Sequence, residues 1–455
     1  MTALRDAVLP GFLLLCLVLG GASGGGYLAN LFLQLCAVGL IGWTLLTGPP
    51  TPFTPQQRVL LWFGVAICLV VLLQFLPLPL PLWEQLGGRG AIIAADRETG
   101  ITPSPAFLTL MPHETLKSAV WMLPPFGLAL AILGLGNCRA HRLAIVIVAV
   151  MALSVLVGAS QLSGGGNSPW YFYRITNRGS AVGFFANANH FSTLLLVSLP
   201  FLAALVETRW RGRRASRVVI VAIASAIFGV ALVGIFVNGS LTGYGLGGPV
   251  LAASAMILVP RARLRRFSLL VLLPAIAAGM VLVFSTREGR QMLAESSTLS
   301  APARETIFAN SWKAARDFAP TGSGIGSFEE IYRLYEDPAE VGPRYINHAH
   351  NDYLELLVET GLAGGAMLAA FLLWWGRRAY RVWHAKNADP FARAAVVATA
   401  TILIHSSVDY PLRTAAISCI FSLSCALMTR WASGDQLLIA RRNAPRRRRA
   451  APATA

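Results

Sequence analysis

Runs of about 20 apolar residues recur along this 455-residue chain, and most of them carry no charged side chain. A helix needs about that many residues to cross a hydrocarbon core roughly 30 Å thick. Roughly twelve runs qualify: 7–24, 27–47, 59–77, 118–136, 143–162, 183–206, 218–237, 243–260, 267–286, 353–375, 393–409 and 412–432. Nine of them hold no Asp, Glu, Lys or Arg. The others keep their charges near the ends: Glu355 and Glu359 open the tenth, Arg393 and Asp409 flank the eleventh, and Arg413 and Arg430 lie in the twelfth. With 55% hydrophobic and 13% charged residues, the chain is far from the roughly 25% charge of soluble domains. That excludes an ordinary soluble enzyme, a disordered tail and a collagen-like fibre. Arg5 ahead of the first run also fits a secretory signal, but Gly20 to Gly26 lacks a clear A-x-A site and eleven more runs follow. The expected fold is therefore all-α: a polytopic integral membrane protein of about 12 transmembrane helices, with a large outer loop containing short helices.

Lys and Arg in the connections orient such a chain. With the N-terminus inside, the inner segments hold 25 of the 38 Lys and Arg, and the outer ones hold 17 of the 21 acidic residues. The clusters Arg209–Arg217, Arg261–Arg266 and Arg446–Arg449 then read as topology signals that also meet anionic lipid headgroups. On this reading the net charge of +17 calls for membrane lipids and not for nucleic acid. The expected organisation is nine helices in 1–286 with an outer loop at about 78–117, a large outer loop at 287–352, three further helices in 353–432, and a basic inner tail at 433–455. The six cysteines lie in or beside the apolar runs, so they read as small apolar residues and not as a disulfide framework.

The large outer loop carries most of the chemistry-bearing residues. From Pro302 the order Arg304-Glu305, Phe308, Trp312, Ala315 predicts an amphipathic helix lying on the membrane face and ending by Pro320. Gly322-Ser323-Gly324-Ile325-Gly326 follows. It has no strand before it, so a tight turn is the better reading than a phosphate cradle. A short helix is expected at about 328–335. The loop closes on Asn347-His348-Ala349-His350-Asn351-Asp352 and runs into the tenth helix. Asn351 or Asp352 can cap that helix, whose N-terminal N–H groups favour anions. Histidines beside such an end suit proton transfer from a hydroxyl. Capping alone, or a zinc site completed by Asp352 or Asp409, are the alternatives.

A shorter outer region reads Trp170-Tyr171-Phe172-Tyr173-Arg174, then Arg178, then Asn187-Ala188-Asn189-His190. Two outer arginines run against the orientation rule, and guanidinium forks match phosphate oxygens. Trp170 and Tyr171 read as interface anchors ahead of sugar stacking.

Taken together, these segments resemble the O-antigen ligase and polymerase family of bacterial envelope polysaccharide synthesis. The residues that carry the resemblance are the stretch from Arg178 to Asn187 or Asn189, Arg304-Glu305, the Gly-rich turn from Thr321 to Phe328, and His350-Asn351 to Gly361, over roughly 170–375. The resemblance implies a multi-pass protein of the bacterial inner membrane, both termini cytoplasmic, with 287–352 as a periplasmic catalytic loop. It implies an inverting glycosyltransferase that moves a glycan from undecaprenyl diphosphate to a hydroxyl of a lipid A core or a growing polysaccharide. His350 would be the base. Arg178 and Arg304 would hold the diphosphate, with Arg174, His348, Asn351 and Asn187 also binding substrate. No cofactor is implied, and no Asp-x-Asp pair in an outer loop supports a metal. Gly239-Ser240-Leu241-Thr242-Gly243 lacks the Arg that many members carry at this place, so it receives no role. A polymerase shares the donor and differs in acceptor. A secondary transporter or flippase would want ionisable residues near the bilayer midplane, where only His190 and His405 are candidates.

The charge split makes a direct prediction. A cysteine introduced near residue 310 should react with an impermeant reagent added outside intact cells, while both termini and Arg209–Arg217 stay protected. Reaction near 310 only after permeabilisation contradicts the orientation.

Overall fold

The computed structural model describes residues 2–49, 51–100, 106–136, 138–211, 217–259, 304–338, 346–385 and 388–430, with a few single positions between 274 and 285. Its helices are α1 (Thr2–Leu19), α2 (Tyr27–Thr47), α3 (Pro55–Gln74), α4 (Leu80–Trp83), α5 (Gly90–Thr99), α6 (Pro112–Trp121), α7 (Leu123–Gly134) and α8 (Ala140–Ser163). There follow α9 (Ala188–Arg211), α10 (Arg217–Asn238), α11 (Leu241–Leu258), α12 (Arg304–Asp317), α13 (Phe328–Arg333), α14 (Asp352–His384), α15 (Pro390–His405) and α16 (Ala415–Arg430). Among the described residues there is no strand, only an isolated bridge between Pro77 and Phe107.

Among the described residues, eight helical stretches are long and apolar enough to cross a membrane: α2, α3, α6 with α7, α8, α9, α10, α11 and α14. The expected count of twelve is therefore met only in part. Asp6–Leu19, α15 and α16 are apolar but shorter. The runs at 393–409 and 412–432 looked long enough because the loop between α15 and α16 is itself largely uncharged, yet the helices they predict are 16 residues each. Most of the run at 267–286, all of 287–303, the clusters Arg261–Arg266 and Arg446–Arg449, and the tail at 433–455 lie outside the described residues.

α9 is the hub of the bundle. Phe191, Leu194, Leu195, Val197 and Phe201 are buried there, against α8, α10, α11 and α15. α15 and α16 bring small residues to the same core, including Ala394, Ala395, Ala398, Ala416 and Cys419. Small side chains let helix backbones approach closely, which matters in lipid, where burial between helices has no hydrophobic driving force of its own. α3 sits at the other extreme. A capping box at Thr54 and Gln57 starts it, and only Val71 and Gln74 are buried.

The segments 304–338 and 346–358 form a second, smaller core. Ile307, Ala314 and Phe318 of the α12 region pack with Phe328, Ile331, Tyr332, Ala349 and Val358. The buried face of α12 thus runs through 307, 311 and 314, one residue off the expected stripe at 308, 312 and 315, and Trp312 is exposed. The helix packs on α14, whose first turns offer Val358 as a partner. Arg89 joins the two long outer loops. Its guanidinium is buried and donates to Leu108 O (2.6 Å), Gly87 O (2.9 Å) and Gly322 O (3.3 Å). Burial pushes its pKa down to about 10.

α14 is broken at Gly361, where φ is 56° and ψ is −141°, a region essentially restricted to glycine. The break separates a first segment that carries Asp352, Glu355 and Glu359 from the apolar remainder. A Cβ at Gly361 would collide with Pro320 O, and Leu362 N donates to that same carbonyl (2.9 Å). Gly361→Ala should therefore cost about 2–3 kcal/mol or more from strain and collision. It should lower the unfolding midpoint in detergent by several degrees. An unchanged midpoint contradicts this account of the kink.

Candidate active site

Asn351 caps α14, its Oδ1 accepting from Tyr353 N (3.0 Å) and Leu354 N (3.1 Å). The next turns place Asp352, Glu355 and Glu359 at i, i+3 and i+7, on one helix face. All three carboxylates are buried and converge on Arg413 in the loop between α15 and α16. Arg413 Nη2 lies 3.2 Å from Glu355 Oε1 and 3.0 Å from Glu359 Oε2, and its Nε lies 3.8 Å from Asp352 Oδ1. Burial works against the charged guanidinium, but Glu355, Glu359 and Asp352 outweigh it and push the Arg413 pKa further up. The remaining carboxylate oxygens are also used. Ser406 Oγ donates to Asp352 Oδ2 (2.7 Å), Ala349 N to Glu355 Oε2 (3.0 Å) and Gly326 N to Glu359 Oε1 (2.8 Å).

The Gly-rich turn docks through its own amides. Ser323 N donates to Val358 O, Gly324 N to Glu359 O, and Ile325 N to Gln74 Oε1 at the end of α3. These donors are consumed by the protein, so the tight-turn reading of 322–326 holds and a phosphate cradle does not.

Tyr410 stands at the centre of the second half of the site. Its ring centroid lies 4.2 Å from His348, 5.1 Å from His350 and 5.1 Å from His190. His348 Nδ1 meets Glu355 Oε1 at 2.8 Å. His350 Nδ1 lies 3.4 Å from Asp409 Oδ1, without the alignment of a hydrogen bond. The two imidazoles thus turn to two different carboxylates. Among the described residues His350 is the one non-glycine with positive φ, 49°, which turns the chain sharply into the capped helix. Asp409 Oδ2 accepts from Asn189 (2.6 Å), and Asn189 Oδ1 accepts from Ser240 (2.7 Å). His405 is fully buried between the Thr193 (2.7 Å) and Thr242 (3.1 Å) hydroxyls. Burial opposes the Asp409 charge, yet His350 and His405 hold its carboxyl well below the usual range.

The expected site residues divide into two groups. His348, His350 and Asn351 come together with Tyr410 and Asp409, and Asn187 joins them at the start of α9, where it accepts from Asn189 N (2.8 Å) and faces the Tyr410 hydroxyl. Arg174, Arg178 and Arg304 are exposed. Arg178 lies over Tyr171 (5.6 Å) and donates to Gly166 O (2.9 Å), and among the described residues the contacts of these arginines do not reach the histidines. Tyr171 and Tyr173 are buried, with hydroxyls bonded to Ser180 O and Leu19 O. Tyr171 therefore stitches the loop together and is not an interface anchor, while Trp170 stays half-exposed. Sequence reasoning assigned no role to Tyr410, Arg413, Ser240 or Thr242, and considered Asp409 only as a zinc ligand. The signal that marks Tyr410, Asp409 and Arg413 is the cluster of ionisable residues at the edges of the last three apolar runs.

Residues 226–369 match the family model described as O-antigen ligase, which bears out the resemblance read from the motifs. The matched stretch holds Ser240, Thr242, Arg304, His348, His350, Glu355 and Glu359. Arg178, Asn187, Asp409 and Arg413 fall outside it. No curated protein matches the chain.

Removing the Arg413 charge leaves three buried carboxylates unpaired, and breaking a buried pair costs about 3–5 kcal/mol. Arg413→Ala should therefore lower the unfolding midpoint sharply. Glu359→Gln in that background should restore part of the loss, because it removes one uncompensated charge. Additive losses in the double variant contradict the network.

Proposed function

We propose that this chain moves a glycan from undecaprenyl diphosphate to a hydroxyl of a lipid A core at the outer face of a bacterial inner membrane. The family match supports a multi-pass membrane glycosyltransferase of the ligase or polymerase type. The observation that carries the finer reading is a cavity of about 1060 Å³ beside the histidines. His348, Glu355, Glu359 and Arg413 form one end of it. Leu60, Phe63, Ile67, Phe126 and Phe421 of the membrane helices form the rest. A polar end on a long apolar wall suits a substrate with a sugar head and a hydrocarbon tail.

In the proposed reaction the acceptor oxygen bonds the anomeric carbon of the donor as the carbon–oxygen bond to diphosphate breaks. The diphosphate leaves with the bonding pair, and the hydroxyl proton passes to His350. Displacement from the opposite face inverts the anomeric configuration. His350 suits the task because its ring is a quarter exposed and Asp409 stands behind it to face the imidazolium that forms. Arg178 and Arg304 are assigned to the leaving diphosphate, as exposed guanidiniums able to fork onto phosphate oxygens. No step is assigned to a metal. A polymerase would run the same chemistry with a growing polysaccharide as acceptor.

The test is to incubate the purified chain with an undecaprenyl-diphosphate glycan and rough lipopolysaccharide, then identify the product by mass spectrometry. Transfer is expected. His350→Ala should slow it by about 10²–10⁴-fold, the usual worth of a general base. Arg178→Lys and Arg304→Lys should reduce donor use, since Lys keeps the charge and loses the fork. Absence of any product with the wild-type chain overturns the reading. A wild-type rate in His350→Ala overturns the assignment of the base.

A further inference from the structure

The charges around the cavity are lopsided. Glu114, Glu329, Asp352, Glu355 and Glu359 line it, against Lys117 and Arg413. Lys117 is committed to Glu114 at 3.0 Å, and Arg413 to its three carboxylates. A diphosphate entering here would meet an excess of negative charge in apolar surroundings, where the repulsion is poorly screened. An uncharged sugar meets no such barrier.

His348 is built to receive one. It is 15% exposed and lines the cavity, and its ring is clamped between Tyr410 and Glu355. Nδ1 faces the Glu355 carboxylate at 2.8 Å, and a carboxylate only accepts. In the neutral ring the hydrogen is then on Nδ1, and Nε2 is left as a hydrogen-bond acceptor. Glu355 is fixed in turn by Ala349 N and Arg413. Tyr410 also packs on His348, and the rings of His190 and His350 pack on Tyr410 in turn. His348 lines the cavity, and His350 packs on the same tyrosine, with ring centroids 4.2 and 5.1 Å from that of Tyr410.

We propose that this cavity is the acceptor site, taking a glycolipid whose reacting sugar carries no phosphate, and that Glu355 is a positioning residue acting through His348, whose Nε2 holds a hydroxyl next to the one that reacts. The proposal rests on the glycosyl-transfer reading for the reaction, and its test is a binding measurement that needs no turnover. Binding of rough lipopolysaccharide, and separately of undecaprenyl diphosphate, is measured on the full chain in detergent. Glu355→Gln and His348→Ala should each weaken rough lipopolysaccharide about tenfold, the worth of one well-made hydrogen bond, and leave undecaprenyl diphosphate within about twofold. The double variant should be no weaker than His348→Ala alone, because on this proposal Glu355 reaches the acceptor through that ring. Phe126→Trp, which fills the apolar wall without touching the polar end, should also weaken the lipopolysaccharide selectively.

In the transfer assay the same variants should raise the acceptor KM and leave kcat within about threefold. Failure of rough lipopolysaccharide to bind the wild-type chain overturns the proposal. So does loss of undecaprenyl diphosphate binding in these variants, or losses that multiply in the double variant. Normal selective binding without any transfer would sink the glycosyl-transfer reading and leave the site standing. Transfer with unaltered binding in the variants would do the reverse.

Discussion

The structure depends on one guanidinium held among three buried carboxylates. Three buried carboxylates on one face of the first turns of α14 repel each other. Arg413 compensates all three, and in doing so ties the loop between α15 and α16 to the head of α14. That tie sets the position of Tyr410, three residues away, and Tyr410 in turn carries the rings of His190, His348 and His350. A buried ion network of this kind stabilises little by comparison with apolar packing, but breaking it is costly. Its use here is geometric: it fixes two histidines against two carboxylates.

The two halves of the site are joined by backbone as much as by side chains. Glu359 bonds the Gly-rich turn through both its carboxylate and its carbonyl, and Gln74 reaches the same turn from the end of a lipid-facing helix. Arg89 adds the first outer loop. The small outer core therefore rests on the membrane helices at several fixed points, so the histidines sit on a scaffold and not on a free loop. Rigid support of this kind is what a transfer between two large substrates needs, since misplacement by about 1 Å can cost a hundredfold in rate.

Much of the site was legible before the fold was known, and its limits follow from particular residues. The helix cap, the paired histidines and the tight turn came from local patterns, and each depends on neighbours in sequence. The face of α12 was read one residue off because Phe308 and Trp312 are the larger apolar side chains, while the packing against α14 selects Ile307, Ser311 and Ala314. Ser240 and Thr242 looked like a degraded motif. Their hydroxyls instead reach Asn189 and His405, 51 and 163 positions away in sequence.

The sequence by itself determined the membrane environment, the helical class and the end of the chain where the chemistry gathers. Those follow from the cost of burying charge and unbonded backbone in lipid, which acts on every residue wherever its partners are. Only the tertiary structure decided which charges pair. Asp409, Arg413, Glu355 and Glu359 are all visible at the edges of apolar runs, but their spacing is equally consistent with four separate interfacial residues. Pairing depends on short distances between segments brought together by helix packing, and Coulomb and hydrogen-bond energies at that range cannot be read from positions along one chain.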